Sequence, residues 1–513
     1  MFLNIDAYSN KEVSFRYRGR SYVFSLSHGL FSSAGIDTGS AFLLKVFSRY
    51  LDNYHKIPHA KTQRRKDAIG GTDSSLHSSV PLCEKFHDFK ILDAGCGTGV
   101  LGICTAGALM DLAACGADGV SSVNKATPAA GERASADAPT PVHCRAQDRD
   151  ELARLFTEHN ARRNGLSEEN LAAYTEPLLA GPGRWDFIFT NIPAKAGEPV
   201  LEDFIRRSSC LLEKNGRVFL VAVNTLADFF RSNINAHASL LLEETGKEHT
   251  VFVYATGGNS AKNSCQDARS AAQRGNECLE NLPVIINEKF PENHPFYIRN
   301  RGAYEMERFP YRLDTVYGAP GFDSPGGAVE TAAKLAVKID LAAKLIKKEL
   351  AETAHSHHDE PINILVYDDT GQGHFTLWLA NYLPASLSLR WTLSGRNILA
   401  LTAARHALTG LDTETGAIEI VTAAGIFHAR ELHKNADNVA YDLIAYFPET
   451  VPETKREEAS WEALSLLAAP GAVVLTGMNS MEADRFDKRK PKGFSRTGDI
   501  KRAGFRSMAY NRV

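Results

Sequence analysis

The stretch Ile91-Leu92-Asp93-Ala94-Gly95-Cys96-Gly97-Thr98-Gly99 decides the fold. Phe89-Lys90-Ile91-Leu92 is a short apolar strand, and Val100 to Leu109 has the composition of a helix. Glycine recurs at every second position between them, where it permits a tight turn and lets backbone approach a ligand closely. The helix that follows aims its first N–H groups at whatever sits above the turn. A dinucleotide site would carry Gly-x-Gly-x-x-Gly here; this chain carries Asp-x-Gly-x-Gly-x-Gly.

Outward from this turn, strands and helices alternate. Glu151 to Asn164 reads as a helix, Trp185 to Phe189 as a strand, Phe204 to Leu212 as a helix and Val218 to Val223 as a buried strand. Such alternation predicts a mostly parallel sheet with helices on both faces. Upstream, Val13–Tyr17 and Tyr22–Ser25 alternate around Arg18-Gly19-Arg20 as a hairpin, and residues 40–53 have helical apolar spacing. Residues 56–82 read as a polar loop, and a stretch near 116–141, rich in Ala, Gly, Ser and Pro, reads as a flexible insertion.

The pattern then repeats. Ile362–Val366 is a strand, Asp369-Thr370-Gly371-Gln372-Gly373 a turn and Phe375–Tyr382 a helix; strands at Leu389, Tyr441 and Ala472 alternate with helices at Ile398 and Glu457. The expected organisation is an α/β chain of two tandem Rossmann-like domains, a first over 1–255, a linker over 256–285 and a second over 286–513, built by internal duplication.

Composition narrows the class. The 513 residues are 43% hydrophobic and 23% charged, with a net charge of -3, which does not mark the whole chain as a nucleic-acid binder but leaves room for local basic patches. Met1 to Val13 lacks a basic-then-apolar leader, and the longest apolar runs are strand-sized, so a cytoplasmic protein without membrane segments is expected. Eight cysteines without a C-x-x-C pair predict reduced thiols. His355, His357 and His358 lack acidic or cysteine companions at metal spacing, so no metal is expected.

Three further motifs lie in order along the first half. Val142 to Asp150 supplies acids at the expected end of the second strand, followed by Asn160 and Asn164-Gly165-Leu166. Asn191-Ile192-Pro193-Ala194 closes the strand that begins at Trp185. His28 to Ser40, with Gly29-Leu30-Phe31-Ser32 and Ile36-Asp37-Thr38-Gly39-Ser40, precedes the first helix.

Together these motifs resemble the class I S-adenosylmethionine (SAM) dependent methyltransferases of the small type, and in particular the tandem-domain bacterial ribosomal-RNA guanine-N2 methyltransferases. The likeness spans most of residues 15–255. It implies SAM as cofactor, with Asp93, Gly95, Cys96, Gly97 and Gly99 around its methionine part and Asp148, or failing that Asp150, on the ribose. It implies that Asn191 and the carbonyl of Ile192, ahead of Pro193, grip an exocyclic amine, and that Phe31 and Asp37 meet the substrate, an RNA base. The chain departs from the family twice at this motif: Ile192 replaces a proline, and Ala194 replaces an aromatic, leaving Phe31 as a candidate for stacking. A protein amide or a small molecule remains an alternative substrate, and a non-catalytic RNA-binding or assembly role an alternative function.

In that family one copy is catalytic, the second, and the other degenerate; here the better-preserved copy comes first. In the second half Phe375 is expected at the third glycine position, Leu393 to Asn397 offers no acid, and Tyr446-Phe447-Pro448-Glu449 replaces Asn-x-Pro. The tail from Arg485 to Arg506 interleaves basic residues with Phe486, Phe494 and Phe505, as an RNA platform or a solvated basic surface would; Arg16, Arg18 and Arg20 admit the same two readings.

Overall fold

Strand β3 (Phe89–Ala94), the strand that leads into the glycine turn, lies third in a seven-stranded sheet of order β5-β4-β3-β6-β7-β9-β8. The computed structural model describes residues 5, 8–31, 33–55, 88–118, 142–180, 182–257, 289–321, 323–353, 361–411, 416–428, 440–450 and 456–513. The expected loop at 56–82, most of the insertion near 116–141, most of the linker and the three histidines at 355–358 lie outside them. Residues 116–118 close a helix rather than open an insertion.

A separate two-stranded hairpin and a helix precede the sheet. β1 (Lys11–Tyr17) and β2 (Arg20–Leu26) pair antiparallel, and helix α1 (Thr38–His55) follows. After β3 come α2 (Val100–Asp118), β4 (Val142–Asp148), α3 (Glu151–Arg163), β5 (Leu171–Thr175), β6 (Trp185–Asn191) and α4 (Glu198–Cys210). β7 (Leu212–Val223), α5 (Ala227–His237), β8 (Ala238–Thr245) and β9 (His249–Thr256) complete the half. β4, β5, β6 and β7 run parallel to β3, whereas β9 returns antiparallel beside β7, with β8 outside it. Val218–Val221 are fully buried, as expected of a strand covered on both faces.

The second half repeats this plan strand for strand. A hairpin of β10 (Ile298–Met306) and β11 (Phe309–Val316) precedes helices α6 (Gly327–Lys338) and α7 (Leu341–Thr353). The sheet that follows has order β14-β13-β12-β15-β16-β18-β17. Its elements are β12 (Ile362–Asp368), α8 (His374–Tyr382), β13 (Leu389–Gly395), α9 (Ile398–Thr409), β14 (Ile418–Thr422), β15 (Tyr441–Phe447), α10 (Glu457–Leu467), β16 (Ala468–Asn479), α11 (Ser480–Lys488), β17 (Phe494–Arg502) and β18 (Phe505–Arg512). Two copies of one topology in tandem, expected from the repeating pattern, are what the chain folds into.

The basic C-terminal segment belongs to this second sheet and its flanking helix. Phe486 and Phe494 pack on Trp461 with ring centroids 4.4 and 5.2 Å away, so they are core rather than stacking platforms. Arg485, Arg489 and Arg496 pair with Glu457, Glu458 and Asp487, and Arg506 with Asp484 and Asp499. In the N-terminal hairpin Arg18 pairs with Asp52, and Arg20 donates to the Asn164 carbonyl. Cys96, Cys104 and Cys144 are free and buried, whereas Cys210 is disulfide-bonded, against the expectation of reduced thiols.

The halves meet through equivalent corners. Glu151 N donates to the carbonyl of Arg396 at 3.0 Å, and Ile398 N donates to the carbonyl of Arg149 at 3.0 Å. Both donors open the helix that follows the second strand of their own sheet, so the contact has the reciprocity of a two-fold interface within one chain. One apolar cluster spans it, with Val200 and Phe204 from one half and Val316, Leu399 and Ala403 from the other.

Candidate active site

A cleft of about 560 Å³ opens at the C-terminal ends of β3, β4 and β6, the edge where open α/β sheets bind ligands. Its size is within the range of small-molecule sites. The glycine turn, Asp148, Asn191 to Ala196 and the segment from Gly29 to Ser40 all border it. Four motifs distant in sequence therefore converge on one cavity.

Gly95, Gly97 and Gly99 take φ of +81°, +57° and +83°, values that favour glycine. A Cβ on Gly97 would meet nothing within 4 Å, because it would project into the cleft; one on Gly99 would lie 2.9 Å from Ile103 and 3.0 Å from Thr157. The first glycine leaves room for a ligand and the second for helix packing. The turn is tied to β4, since Gly95 N and Cys96 N both donate to the carbonyl of Gln147. Gly97 N donates to Asp148 Oδ2 at 3.1 Å. The Cys96 side chain is buried and accepts from the Thr157 hydroxyl, so only its backbone is available to a ligand.

The two acids of this region do different work. Asp93 is fully buried below the turn, where Oδ2 accepts from Gly102 N at 2.7 Å in the first turn of α2. It does not border the cleft, which corrects the expectation of direct contact with a cofactor. Burial chiefly, with the charge of Asp148 adding, pushes its carboxyl up to about 7 despite the Gly102 hydrogen bond. Asp148, half-buried, does border the cleft, and burial also raises its carboxyl. Asp150 is committed elsewhere: it caps α3 at Leu152 N and pairs with Arg396. Both acids border the cleft; Asp150 is held by the Arg396 guanidinium and the α3 cap, whereas Asp148 accepts from the backbone N–H groups of Gly97 and Asp150.

Asn191 ends β6 with its amide fixed. Nδ2 donates to Asp37 Oδ2 at 2.6 Å and to Ser40 Oγ at 3.0 Å. A carboxylate can only accept, so the nitrogen faces Asp37 and Oδ1 is left as the acceptor. Asp37 also accepts from Ser40 N at 2.9 Å in the first turn of α1. Asp37, read from the sequence as a substrate contact, is here the residue that orients Asn191. Ile192 is buried, Pro193 and Ala194 are exposed, and all three border the cleft. Phe31, also at the cleft, is 71% exposed, unusual for so large an apolar ring.

Sequence reasoning missed several neighbours. His249, at the start of β9, borders the cleft, and its ring closes over Gly39: a Cβ there would lie 3.2 Å from Nε2 and 2.9 Å from Asp37 Oδ2. Leu178, beside Gly95, holds φ +27°, the positive-φ region that a branched side chain avoids and that clusters at functional sites. No sequence signal marks either residue. Asn160 and Asn164 had such a signal, and the structure gives its reason: they bind the backbone of Ser25 and Val23, docking the hairpin on α3, and Asn160 also holds the Thr98 carbonyl.

The same corner of the second half is closed. Gly373, with φ +100°, directly precedes α8 as Gly99 precedes α2, so Gly373 rather than Phe375 stands at the third glycine position. Phe375 is core, its ring 4.8 Å from that of Phe447, and Phe447 ends β15 where Asn191 ends β6. Tyr367 donates to Asp369 Oδ2 at 2.7 Å. Tyr8, from the first half, is buried above this corner, donating to the Ala424 carbonyl at 2.8 Å and stacking on Phe427. The space left is about 50 Å³. Among the described residues no cluster could hold a metal, and no helix is long and apolar enough to cross a membrane.

No family model and no curated protein sequence matches the chain. Among solved structures, it is similar to the Thermus thermophilus 16S rRNA guanine-N2 methyltransferase RsmC in complex with AdoMet and guanosine, at 11% identity and a TM-score of 0.51, covering 100% of both chains. It also matches the putative methyltransferase yhhF of Escherichia coli, at 14% identity and a TM-score of 0.28, over 41% of this chain and 98% of that one. A TehB-like SAM-dependent methyltransferase of Corynebacterium glutamicum matches at 14% identity and 0.23, over 33% and 81%. The full-length likeness shows the fold: a tandem of two Rossmann-like α/β halves.

Proposed function

We propose that this chain is a SAM-dependent methyltransferase that acts on an exocyclic amine, with guanine N2 of ribosomal RNA as its target. The observation that carries this reading is the amide of Asn191, whose two N–H groups are spent on Asp37 and Ser40 so that Oδ1 accepts beside the glycine turn.

The residues fit the cofactor. Gly97 offers a face that any side chain would fill, and Asp148 stands at the strand end where ribose hydroxyls can donate to it. When bound, SAM supplies an electrophilic methyl group on a sulfonium centre. Asn191 Oδ1 and the Ile192 carbonyl accept the two N–H bonds of the amine and hold its nitrogen lone pair in line with that methyl. Rate then comes from positioning and fixed dipoles rather than from a strong base.

RNA as substrate is supported by the rim. Exposed Phe31 can stack on an extruded base in place of the aromatic missing at Ala194. Lys195 and Arg149 border the same opening and can meet phosphates. The full-length likeness is to a protein solved with AdoMet and guanosine.

The test is incubation with methyl-labelled SAM and total RNA or total protein. Label recovered as N2-methylguanosine in RNA is expected. Label in protein alone overturns the substrate, and a wild type that takes up no SAM in calorimetry overturns the enzyme.

A further inference from the structure

Resting on that reading, we propose that Arg396, carried by the second half, is a positioning residue for the cleft of the first: it locks the ribose-side corner and the substrate-side segment into one rigid wall. Its side chain is only 7% exposed. Nε donates to Asp150 Oδ1 at 3.1 Å and Nη2 to Asp150 Oδ2 at 2.5 Å, a forked grip that a lysine cannot reproduce. Nη2 also donates to the carbonyl of Gly29 at 2.7 Å, and Nη1 pairs with Glu449.

The bonds to Asp150 and Gly29 reach the cleft, which both residues border, whereas Glu449 belongs to the corner of the second half. Asp150 N donates to Asp148 Oδ1 at 3.1 Å, and the other oxygen of Asp148 accepts from Gly97 N. Arg396, Asp150, Asp148 and Gly97 therefore form a chain of hydrogen bonds from the second half to the floor of the cleft. On the other side, Gly29 begins the segment that carries Phe31 and leads to Asp37. A Cβ on Gly29 would lie 3.2 Å from Arg396 Nη1 and 3.2 Å from Leu152, so any side chain there would press on the guanidinium. The backbone of Arg396 is anchored in turn, its N–H donating to Asp369 Oδ1 and its carbonyl accepting from Glu151 N. Asp369, in the closed corner of the second half, so becomes part of the support for the open one.

The test compares Arg396→Lys and Arg396→Met with Tyr8→Phe, which removes a hydrogen bond between the halves that does not lead to Asp148. SAM affinity, KM, kcat and amide hydrogen exchange are measured on the full chain. Arg396→Lys is expected to fold, to bind SAM about tenfold more weakly with KM raised in step, and to leave kcat within about twofold. Arg396→Met is expected to weaken SAM further. In both, exchange quickens at 29–31, 95–99 and 148–152. Tyr8→Phe is expected to lower thermal stability alone. Should Arg396→Met fail to fold, the lysine variant decides. Wild-type SAM affinity and exchange in folded Arg396→Lys would overturn the positioning role. A wild type without SAM affinity would instead overturn the reading of function, and exchange at the three segments would then decide this proposal by itself.

Discussion

The two glycine corners share a topology, a strand-turn-helix geometry and a positive-φ glycine ahead of the helix, yet one opens into about 560 Å³ and the other leaves about 50 Å³. The backbone plan does not make the difference. Side chains do: an amide at the end of β6 against a phenylalanine at the end of β15, and bare space above Gly97 against Tyr8, Tyr367 and Phe427 above the second corner. An α/β corner is a site only where nothing of the protein's own fills it. The closed corner is still used, because Asp369 and Arg396 brace the open one.

Four perturbations would break or sharpen this contrast. The largest effect is expected from Asn191→Ala. Losing a fixed acceptor for the amine should cut methyl transfer by about 10²–10³, the usual cost of removing one preorganised polar group, while SAM affinity stays as in the wild type. Single-turnover rates and calorimetry check it; normal turnover would remove the mechanism. Next comes a matched pair. Gly97→Ala places a methyl in the cleft and strains a φ of +57° by ~1–2 kcal/mol, so SAM should bind about tenfold more weakly. Gly373→Ala would set its Cβ 2.5 Å from that of Ala404, so stability should fall with no change in SAM affinity. Equal effects on binding would mean that both corners hold cofactor.

The third concerns pH. Asp93 is raised from 3.8 to about 7, so between those values the native state keeps a proton that the unfolded chain has released. Stability from this group is therefore full below about pH 4 and lost as pH rises through 7. Asp93→Asn should flatten the decline in part, since Asp369 is also pushed up to about 7. Urea midpoints at pH 5 and pH 8 should differ less in the variant than in the wild type; an unchanged difference would contradict burial of the charge. The smallest effect is expected from Phe375→Leu. A core exchange of similar volume should cost ~1 kcal/mol and leave SAM stoichiometry at one per chain. A second equivalent of SAM would show that this ring alone shut the corner.

What could be read in advance was periodic or local. The near-continuous apolar run at Val218–Val223, the alternation of the first hairpin and the glycine spacing at 95–99 each report on one element and its neighbours in sequence. The C-terminal hairpin could not be read this way. β17 is an edge strand whose residues after Phe494 are exposed or only partly covered, so Ser495 to Arg502 carry no apolar alternation and looked like a basic tail. The third glycine position is misplaced when Asp369 is matched with Asp93, which sets the two turns two residues out of step; five residues separate strand from helix in both halves, a match visible only in where β12 ends and α8 begins.

The sequence by itself determined the repeated strand-helix order, the glycine turn and the identity of the amide at Asn191, because these depend on spacing and on the chemistry of single residues. Only the tertiary structure decided that Asp148 borders the cleft while Asp93 lies beneath it and Asp150 is taken by Arg396, and that the second corner is closed. Those outcomes depend on which side chains meet across hundreds of residues, and a carboxylate's role follows from what surrounds it rather than from its position in a motif.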